Sequence, residues 1–253
     1  MILNSKIFGK NKKALIILHG LFGSLDNWYS IAKEFSLYYQ VHILDLRNHG
    51  KSFHDKNHSY ELMSDDLYNY INYHNIKQPI ILGHSMGGKT AMVFAFRYPD
   101  HIKKLIVLDI SPKKYINPYS ELISTLVEIN KAKLNSRKKA QQILESKYID
   151  NKIIQFLLKN LFWKGEELEF RFNINAIEKS IEDLMDFDYL QYSWSGSCYF
   201  IRGGKSNYIL DSDNKLIKKY FFNSKLITID NANHWVHFDQ KEKFMDNLKN
   251  IIL

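Results

Sequence analysis

Ser85 has the local sequence of a nucleophilic serine. It stands in Gly-His-Ser-Met-Gly-Gly at residues 83–88, directly after one apolar run and directly before an amphipathic segment. Glycines two residues before and after Ser85 predict a strand-to-helix turn too tight for Cβ atoms, which strains the serine backbone and exposes its hydroxyl. The same turn places the amide of Met86 at a helix N terminus, where it can stabilise a developing oxyanion.

Residues 83–90 also match a second pattern, the phosphate-binding loop G-x-x-x-x-G-K-[ST], with Lys89 and Thr90 at the diagnostic positions. In that case Asp109, which ends the apolar run 105–109, would bind magnesium. Both patterns predict a strand, a glycine turn and a helix. The local sequence therefore leaves nucleotide binding open as an alternative.

The rest of the chain favours hydrolysis over nucleotide binding. His234 lies in the loop after the last apolar run of the sheet, where it can act as the base for Ser85. Residues 19–23, His-Gly-Leu-Phe-Gly, follow the first buried run and offer a second oxyanion amide from Leu21 or Phe22. Because the carboxyl ends of parallel strands meet at one sheet edge, these loops can come together. A phosphate-binding loop would leave them unexplained.

The elements that position these residues are visible in the apolar pattern. Short apolar runs without alternation predict strands buried on both faces, at residues 14–18, 41–45, 80–83, 105–109, 198–202 and 226–230. Segments with helical spacing lie between them, at residues 25–35, 61–76, 86–98, 214–222 and 242–252. This alternation predicts an α/β fold, with a parallel sheet and helices on both of its faces.

The alternation stops between the fourth and fifth of these predicted strands. No convincing strand is present there, and four helices are predicted, at residues 121–131, 137–148, 152–161 and 175–185. We therefore predict a core made of residues 1–112 and 195–253, with residues 113–194 inserted as a helical cap. The nucleophile and its base lie on opposite sides of this insertion, so both core pieces must fold together.

Five segments closely resemble the bacterial YbfF-type acyl esterases of the α/β-hydrolase superfamily: residues 19–27 (HGLFGSLDN), 45–52 (DLRNHGKS), 83–89 (GHSMGGK), 109–112 (DISP) and 234–237 (HWVH). The HG pair, the GxSxG pattern and a late histidine occur throughout the superfamily. DLRNHG together with GHSMGGK is much more specific. The resemblance implies the α/β-hydrolase fold, with a mostly parallel central sheet flanked by helices, and short-chain esters as the first substrates to test.

The triad also needs a carboxylate that orients the imidazole. Most α/β-hydrolases place it after the penultimate core strand in a G-x-x-D turn, but residues 203–206 are Gly-Gly-Lys-Ser. Asp109 ends an earlier strand at the same sheet edge as Ser85, and the family that the chain resembles has its acid there. We predict Asp109 as the acid. Ser206 is predicted to support it through a hydrogen bond to Asp109 or His234, an arrangement that the resemblance also suggests.

Other side chains are alternatives for these roles. Asp211 and Asp213 lie at the predicted start of a helix, where a carboxylate more often stabilises the helix dipole. His237 is a rival base, in a segment already turning back into the core. Cys198 lies in an apolar run without a cationic neighbour in the sequence, which predicts packing instead of a thiol nucleophile.

Aromatic side chains are abundant in the predicted cap, and some of them must form an apolar roof above Ser85. The predicted substrate-binding residues are Phe22, His84, Tyr115, Phe156, Trp163, Tyr208 and Trp235. Arg47, Asn48 and His49 follow the second predicted strand at the same edge. We expect these three to tie loops together and not to contact substrate.

Composition excludes several classes of protein. The chain has 253 residues, of which 45% are hydrophobic and 25% charged, so intrinsic disorder is excluded. A single cysteine, no membrane-length apolar run and no signal-peptide pattern predict a cytoplasmic protein. The net charge of +8 comes mostly from scattered lysines and predicts a solvated surface without a nucleic-acid partner. His54 and His58 lack the further ligands that a metal site requires, and a serine mechanism implies no organic cofactor.

The sequence predicts a serine hydrolase that cleaves small-molecule carboxylic esters with short or medium acyl chains through an acyl-enzyme. The positive charge keeps acyl-CoA thioesters as an alternative substrate class. A hydrolase fold that binds a ligand without turning it over is a further alternative.

Overall fold

The computed structural model describes residues 1–148 and 150–253, and its main feature is a seven-stranded sheet in the order β1-β3-β2-β4-β5-β8-β9. The strands, including the two of a separate hairpin, are β1 (Ser5–Phe8), β2 (Ala14–Leu18), β3 (Gln40–Leu44), β4 (Ile80–His84), β5 (Lys104–Leu108), β6 (Leu161–Lys164), β7 (Glu167–Phe170), β8 (Ser197–Gly203) and β9 (Ser224–Ile229). All neighbouring strands of the sheet pair in parallel except β1 and β3. The predicted α/β architecture is confirmed.

The helices lie between these strands and in the insertion. They are α1 (Tyr29–Phe35), α2 (Tyr60–Tyr73), α3 (Met86–Arg97), α4 (Ser120–Lys131), α5 (Arg137–Lys147), α6 (Asn151–Leu158), α7 (Ile174–Met185), α8 (Asp213–Tyr220), α9 (Val236–Asp239) and α10 (Lys241–Ile252). A short 3-10 helix, Leu25–Trp28, precedes α1.

Both faces of the sheet are covered, because successive side chains of a strand point to opposite sides. On β2, Leu15 and Ile17 belong to a cluster with α1 and α10. Ile16 and Leu18 belong to a second cluster with α2 and α3. This two-sided burial explains why the strands are apolar without alternation in the sequence.

The chain between β5 and β8 packs over the second of these clusters. It contains α4 to α7, and its buried apolar residues are continuous with those of α2 and α3. We propose the division into a core of residues 1–112 and 195–253 and a cap segment of residues 113–194. Leu184 and Met185 of this segment line a cavity together with Leu21 and Ser85, which follow β2 and β4 at the carboxyl edge of the sheet.

Two elements of the fold differ from the sequence prediction. The four-residue edge strand β1 pairs antiparallel with β3, and no strand was expected there. The cap segment, in which no strand was expected, contains the antiparallel hairpin β6-β7, with Gly165 in its turn at φ +62. That expectation is wrong because four-residue strands are too short for their alternation to stand out. The predicted helix 152–161 accordingly ends at Leu158.

No helix among the described residues is long and apolar enough to cross a membrane. Within the same residues, no group of three or more His, Cys, Asp or Glu side chains is arranged to hold a metal ion.

Candidate active site

Ser85 lies in the predicted strained turn between β4 and α3. Its backbone has φ 52 and ψ −118, which places it outside the regions that L residues ordinarily occupy. Glycine is needed beside it, since a Cβ on Gly83 would lie 2.1 Å from the carbonyl oxygen of Gly87. The amide of Ser85 donates to the Leu108 carbonyl at 3.0 Å, which ties the turn to the end of β5.

Asp109 follows β5 directly and is completely buried. It also has a positive φ, of 52, so its side chain is held by a strained backbone as that of Ser85 is. Its carboxylate accepts three hydrogen bonds: Oδ1 from the Gly203 amide at 3.0 Å, and Oδ2 from Ser206 Oγ at 2.5 Å and from His234 Nδ1 at 2.8 Å. Buried carboxylates are stable only with such partners.

His234 lies in the loop after β9, and the core holds it from three sides. Its Nδ1 contacts Asp109, and the ring of Tyr208 stacks on its imidazole with 3.8 Å between centroids and 17° between planes. Its backbone carbonyl accepts a hydrogen bond from His84 Nε2 at 3.0 Å. Burial lowers the pKa of His84 well below the ordinary value, so this ring is neutral and donates through Nε2.

The competing carboxylates are engaged elsewhere. The side chain of Asp211 is 91% exposed and pairs with Arg202 at 2.6 Å. Asp213 pairs with Lys113 at 2.6 Å and accepts a hydrogen bond from the Leu210 amide at 2.9 Å. The structure therefore brings Asp109, and neither of these, to His234.

The rival base His237 packs away from Asp109. Its ring stacks on the indole of Trp28 at 4.2 Å and 12°, and its Nδ1 has no hydrogen-bond partner among the described residues. Burial, with a smaller contribution from neighbouring His234, lowers the pKa of His237 to about 3.

We expect a His237→Phe variant to be less sensitive to acid than the wild type. Between its ordinary pKa of 6.5 and the folded pKa of about 3, only the unfolded chain binds the proton, so stability falls as the pH falls. One such proton changes the unfolding free energy by up to about 1.4 kcal/mol per pH unit. Urea unfolding from roughly pH 4 to pH 7, the range in which the unfolded histidine gains its proton, measures how steeply the unfolding free energy depends on pH. Equal slopes in both proteins would contradict the expectation.

The backbone amides of Leu21 and Met86, near Ser85, donate no hydrogen bond to any described residue. The amide of Phe22, in contrast, donates to His49 Nε2 at 3.3 Å. Of the two alternatives for the second oxyanion donor, only Leu21 has its amide free in this structure.

A cavity of about 350 Å³, counting its open mouth, lies beside Ser85 and beneath the cap segment. Its walls include the residues Leu21, Met86, Ile110, Tyr115, Tyr119, Leu184, Met185 and Tyr208. The hydroxyl groups of Tyr119 and Tyr208 lie 2.7 Å apart and hydrogen-bond to each other. Burial raises the pKa of both phenols, so they remain neutral at physiological pH.

The structure brings Tyr115 and Tyr208 to this cavity but not the other predicted substrate-binding residues. Trp163 is 51% exposed on the hairpin. The rings of Phe156 and Trp235 pack against each other at 5.2 Å, tilted by 43°, at the contact between the cap segment and the core. Phe22 and His84 are buried, because Phe22 packs on the cap ring Phe172 at 5.0 Å and His84 lies against His234.

Lys89 has a role that sequence reasoning missed. Its Nζ donates to the carbonyls of Leu184, Met185 and Asp186 at 3.0–3.3 Å, at the C-terminal end of the cap helix α7. Burial lowers the pKa of Lys89 to about 7, although the Asp186 carboxylate acts in the opposite direction. The lysine therefore anchors the cap segment and does not extend toward a phosphate, as a phosphate-binding loop would require. Its partners lie about a hundred residues away, so no local signal reveals them.

Two further sets of side chains pack as the sequence predicts. Arg47 pairs with Asp66 at 2.5 Å, and Asn48 Oδ1 accepts the Asp55 amide at 2.7 Å, so this turn ties loops together. Cys198 is buried in β8, and burial raises the pKa of its thiol well above the ordinary value. Its thiol is therefore protonated and inert.

Comparison with known proteins is consistent with this geometry. Residues 13–142 match the family model described as the alpha/beta hydrolase fold. Esterase YbfF of Escherichia coli is 30% identical over 92% of this chain and 90% of its own length. The sn-1-specific diacylglycerol lipase ABHD11 of Mus musculus is 36% identical over 92% of this chain and 78% of its own length.

A solved structure of a marine microorganism esterase superposes with a TM-score of 0.93 at 41% identity, covering 99% of both chains. The family match and these relatives indicate the same fold as the seven-stranded sheet with its strained serine turn. The chain belongs to the α/β-hydrolase family and is an esterase/lipase-type hydrolase similar to the YbfF esterases.

Proposed function

We propose that this protein is a serine hydrolase that cleaves carboxylic esters with short or medium acyl chains through an acyl-enzyme. One observation carries the proposal: His234 Nδ1 lies 2.8 Å from the buried Asp109 carboxylate, at the sheet edge where Ser85 lies in a strained turn. A buried carboxylate that orients a histidine, at the sheet edge that carries a serine in a strained turn, supports nucleophilic acyl transfer.

In the first half of the reaction, Ser85 Oγ attacks the ester carbonyl carbon while His234 Nε2 accepts the hydroxyl proton. Asp109 holds the imidazole in the tautomer with Nδ1 protonated and stabilises the imidazolium. The tetrahedral intermediate then collapses, the bond to the alkoxy oxygen breaks, and His234 returns its proton to the leaving alcohol.

The amides of Met86 and Leu21 are the oxyanion donors in this proposal. Neither amide donates a hydrogen bond to a residue that the structure describes, and both residues line the cavity beside Ser85. In comparable sites one such donor contributes about 2.7–4 kcal/mol to the transition state. In the second half of the reaction, His234 activates a water molecule, which attacks the acyl-enzyme and releases the carboxylic acid.

The cavity favours a short acyl group. Even counted with its open mouth, the cavity holds only about 350 Å³ of empty space, and the apolar side chains of Leu21, Ile110 and Leu184 line it. The mouse relative is named for diacylglycerol and the bacterial relative is named an esterase, which supports carboxylic esters as the substrate class. The net charge of +8 supports including acyl-CoA thioesters among the compounds tested.

A series of p-nitrophenyl esters tests this function. We expect kcat/KM for the acetate or butyrate to exceed that for the laurate by at least about tenfold, because a poorly fitting chain loses binding energy in the transition state. A diacylglycerol and a short acyl-CoA extend the series. Highest activity on the laurate would contradict the short-chain assignment, and absence of hydrolysis across the series would contradict the proposed function.

A further inference from the structure

We propose that Asn160 of the cap segment and His49 of the core are positioning residues for the oxyanion hole, because they hold the two ends of Phe22 in the turn that presents the Leu21 amide. The inference rests on the proposed function and deepens it. It makes the cap segment part of the catalytic arrangement, in addition to its role as the roof of the cavity.

The turn that carries Leu21 has an unfavourable backbone. The Gly23 amide donates to the Gly20 carbonyl at 3.0 Å, which makes Leu21 and Phe22 the central residues of a tight turn. Phe22 has φ +58, a value that glycine or asparagine usually supplies at this position. A bulky residue in this conformation persists only when its surroundings hold it there.

His49 holds the amide end of Phe22. The Phe22 N–H donates to His49 Nε2 at 3.3 Å, and His49 Nδ1 donates to the Arg47 carbonyl at 3.0 Å. Burial lowers the pKa of His49 well below its ordinary value, so the ring stays neutral and Nε2 remains an acceptor. The peptide between Leu21 and Phe22 is thereby prevented from rotating.

Asn160 holds the carbonyl end from the opposite side. Its Nδ2 donates to the Phe22 carbonyl at 2.9 Å and to the Phe156 carbonyl at 3.0 Å, and the residue is buried. Its own backbone is fixed, since its carbonyl accepts the Arg171 amide at 2.8 Å. This contact crosses from the cap segment to the loop that follows β2.

The side chain of Phe22 adds a third connection to the cap segment. Its ring packs 5.0 Å from Phe172 and 6.2 Å from Tyr119, measured between centroids. Phe22 therefore makes its N–H contact with the core, and its carbonyl and ring contacts with the cap segment. Loss of the Asn160 contact would free one end of the turn, and the Leu21 amide would lose its fixed direction.

An Asn160→Asp variant tests the proposal, because it keeps the shape but loses both Nδ2 donors. Asn173→Asp is a matched control. Asn173 Nδ2 also joins the cap segment to the core, because it donates to Asn48 Oδ1 and to the Asp55 carbonyl. It makes no hydrogen bond to Phe22. Aspartate at 173 retains the oxygen that accepts the Ala176 amide. Asn160→Ala is measured in parallel, and active-site titration with a fluorophosphonate expresses kcat per folded site.

We expect both Asn160 variants to lower kcat about tenfold with KM nearly unchanged, less than the roughly 10²–10³ lost when a donor is removed outright. The inhibition constant of an alkyl boronic acid, which forms a tetrahedral oxyanion-like adduct, should rise by about the same factor. The inhibition constant of the neutral alcohol product should change little, and so should the kinetics of Asn173→Asp.

Wild-type kcat and boronate affinity in the Asn160 variants, or equal losses in Asn160→Asp and Asn173→Asp, would overturn the proposal. A wild-type protein inactive on every ester would instead refute the proposed function.

Discussion

Replacing Ser85 with alanine is expected to lower kcat by about six orders of magnitude on any ester that the wild type hydrolyses, the scale found when a comparable nucleophile is removed. The substitution removes only Oγ, and alanine meets the same backbone strain as serine at φ 52. Folding should therefore be preserved, and a melting curve close to that of the wild type checks this. The measurement is the initial rate of p-nitrophenyl butyrate hydrolysis.

Ser111→Ala is the matched control for that variant. Ser111 is completely buried two residues after Asp109, and its Oγ has no hydrogen-bond partner among the residues that the structure describes. It lies close to the site in sequence without a part in the proposed chemistry, so its variant should keep activity. Substantial hydrolysis by Ser85→Ala would show that another group is the nucleophile.

Replacing Asp109 with asparagine is expected to lower kcat by about 10⁴, the cost of the same change in another triad. The amide has nearly the shape of the carboxylate but only one acceptor oxygen, so its NH2 group must face either the Gly203 N–H or the donors Ser206 Oγ and His234 Nδ1, and the hydrogen bonds on that side are lost. The amide also removes the negative charge that stabilises the imidazolium of His234. Steady-state kinetics on the same ester measure the loss.

Asp211→Asn provides the comparison, since this exposed carboxylate pairs with Arg202 at the surface. We expect its kcat to stay close to that of the wild type, because this side chain contacts neither His234 nor Asp109 among the described residues. A near-normal rate in Asp109→Asn together with a large loss in Asp211→Asn would contradict the assignment of the acid.

Much of the fold could be predicted because its strands are buried on both sides. Residues such as Ile16 and Ile17 face opposite clusters, so their strand is apolar throughout and stands out in the sequence. The edge strand β1 lacks this signal, since it is only four residues long and partly exposed. The hairpin β6-β7 lacks it for the same reason, and its apolar residues resemble those of a short helix.

The candidate site likewise contains residues that a local sequence pattern identifies and residues that it does not. Ser85 and Met86 belong to one short motif whose glycines and position between a strand and a helix specify its geometry. Lys89 and Asn160 depend on contacts with residues about a hundred positions away or more, which no local pattern encodes. Trp163 is a large aromatic residue of the kind that often lines a pocket. Its position on the exposed hairpin depends on the strand register, which the sequence pattern does not reveal.

The proposed activation of Ser85 by His234 and Asp109 is tested most directly by labelling the protein with a fluorophosphonate and locating the adduct by peptide mass spectrometry. We expect one adduct per chain, on Ser85, with hydrolysis lost in proportion to labelling and the labelling rate greatly reduced in Asp109→Asn. An adduct on another residue, or a hydrolytically active protein that remains unlabelled, would contradict the assignment of Ser85 as the nucleophile.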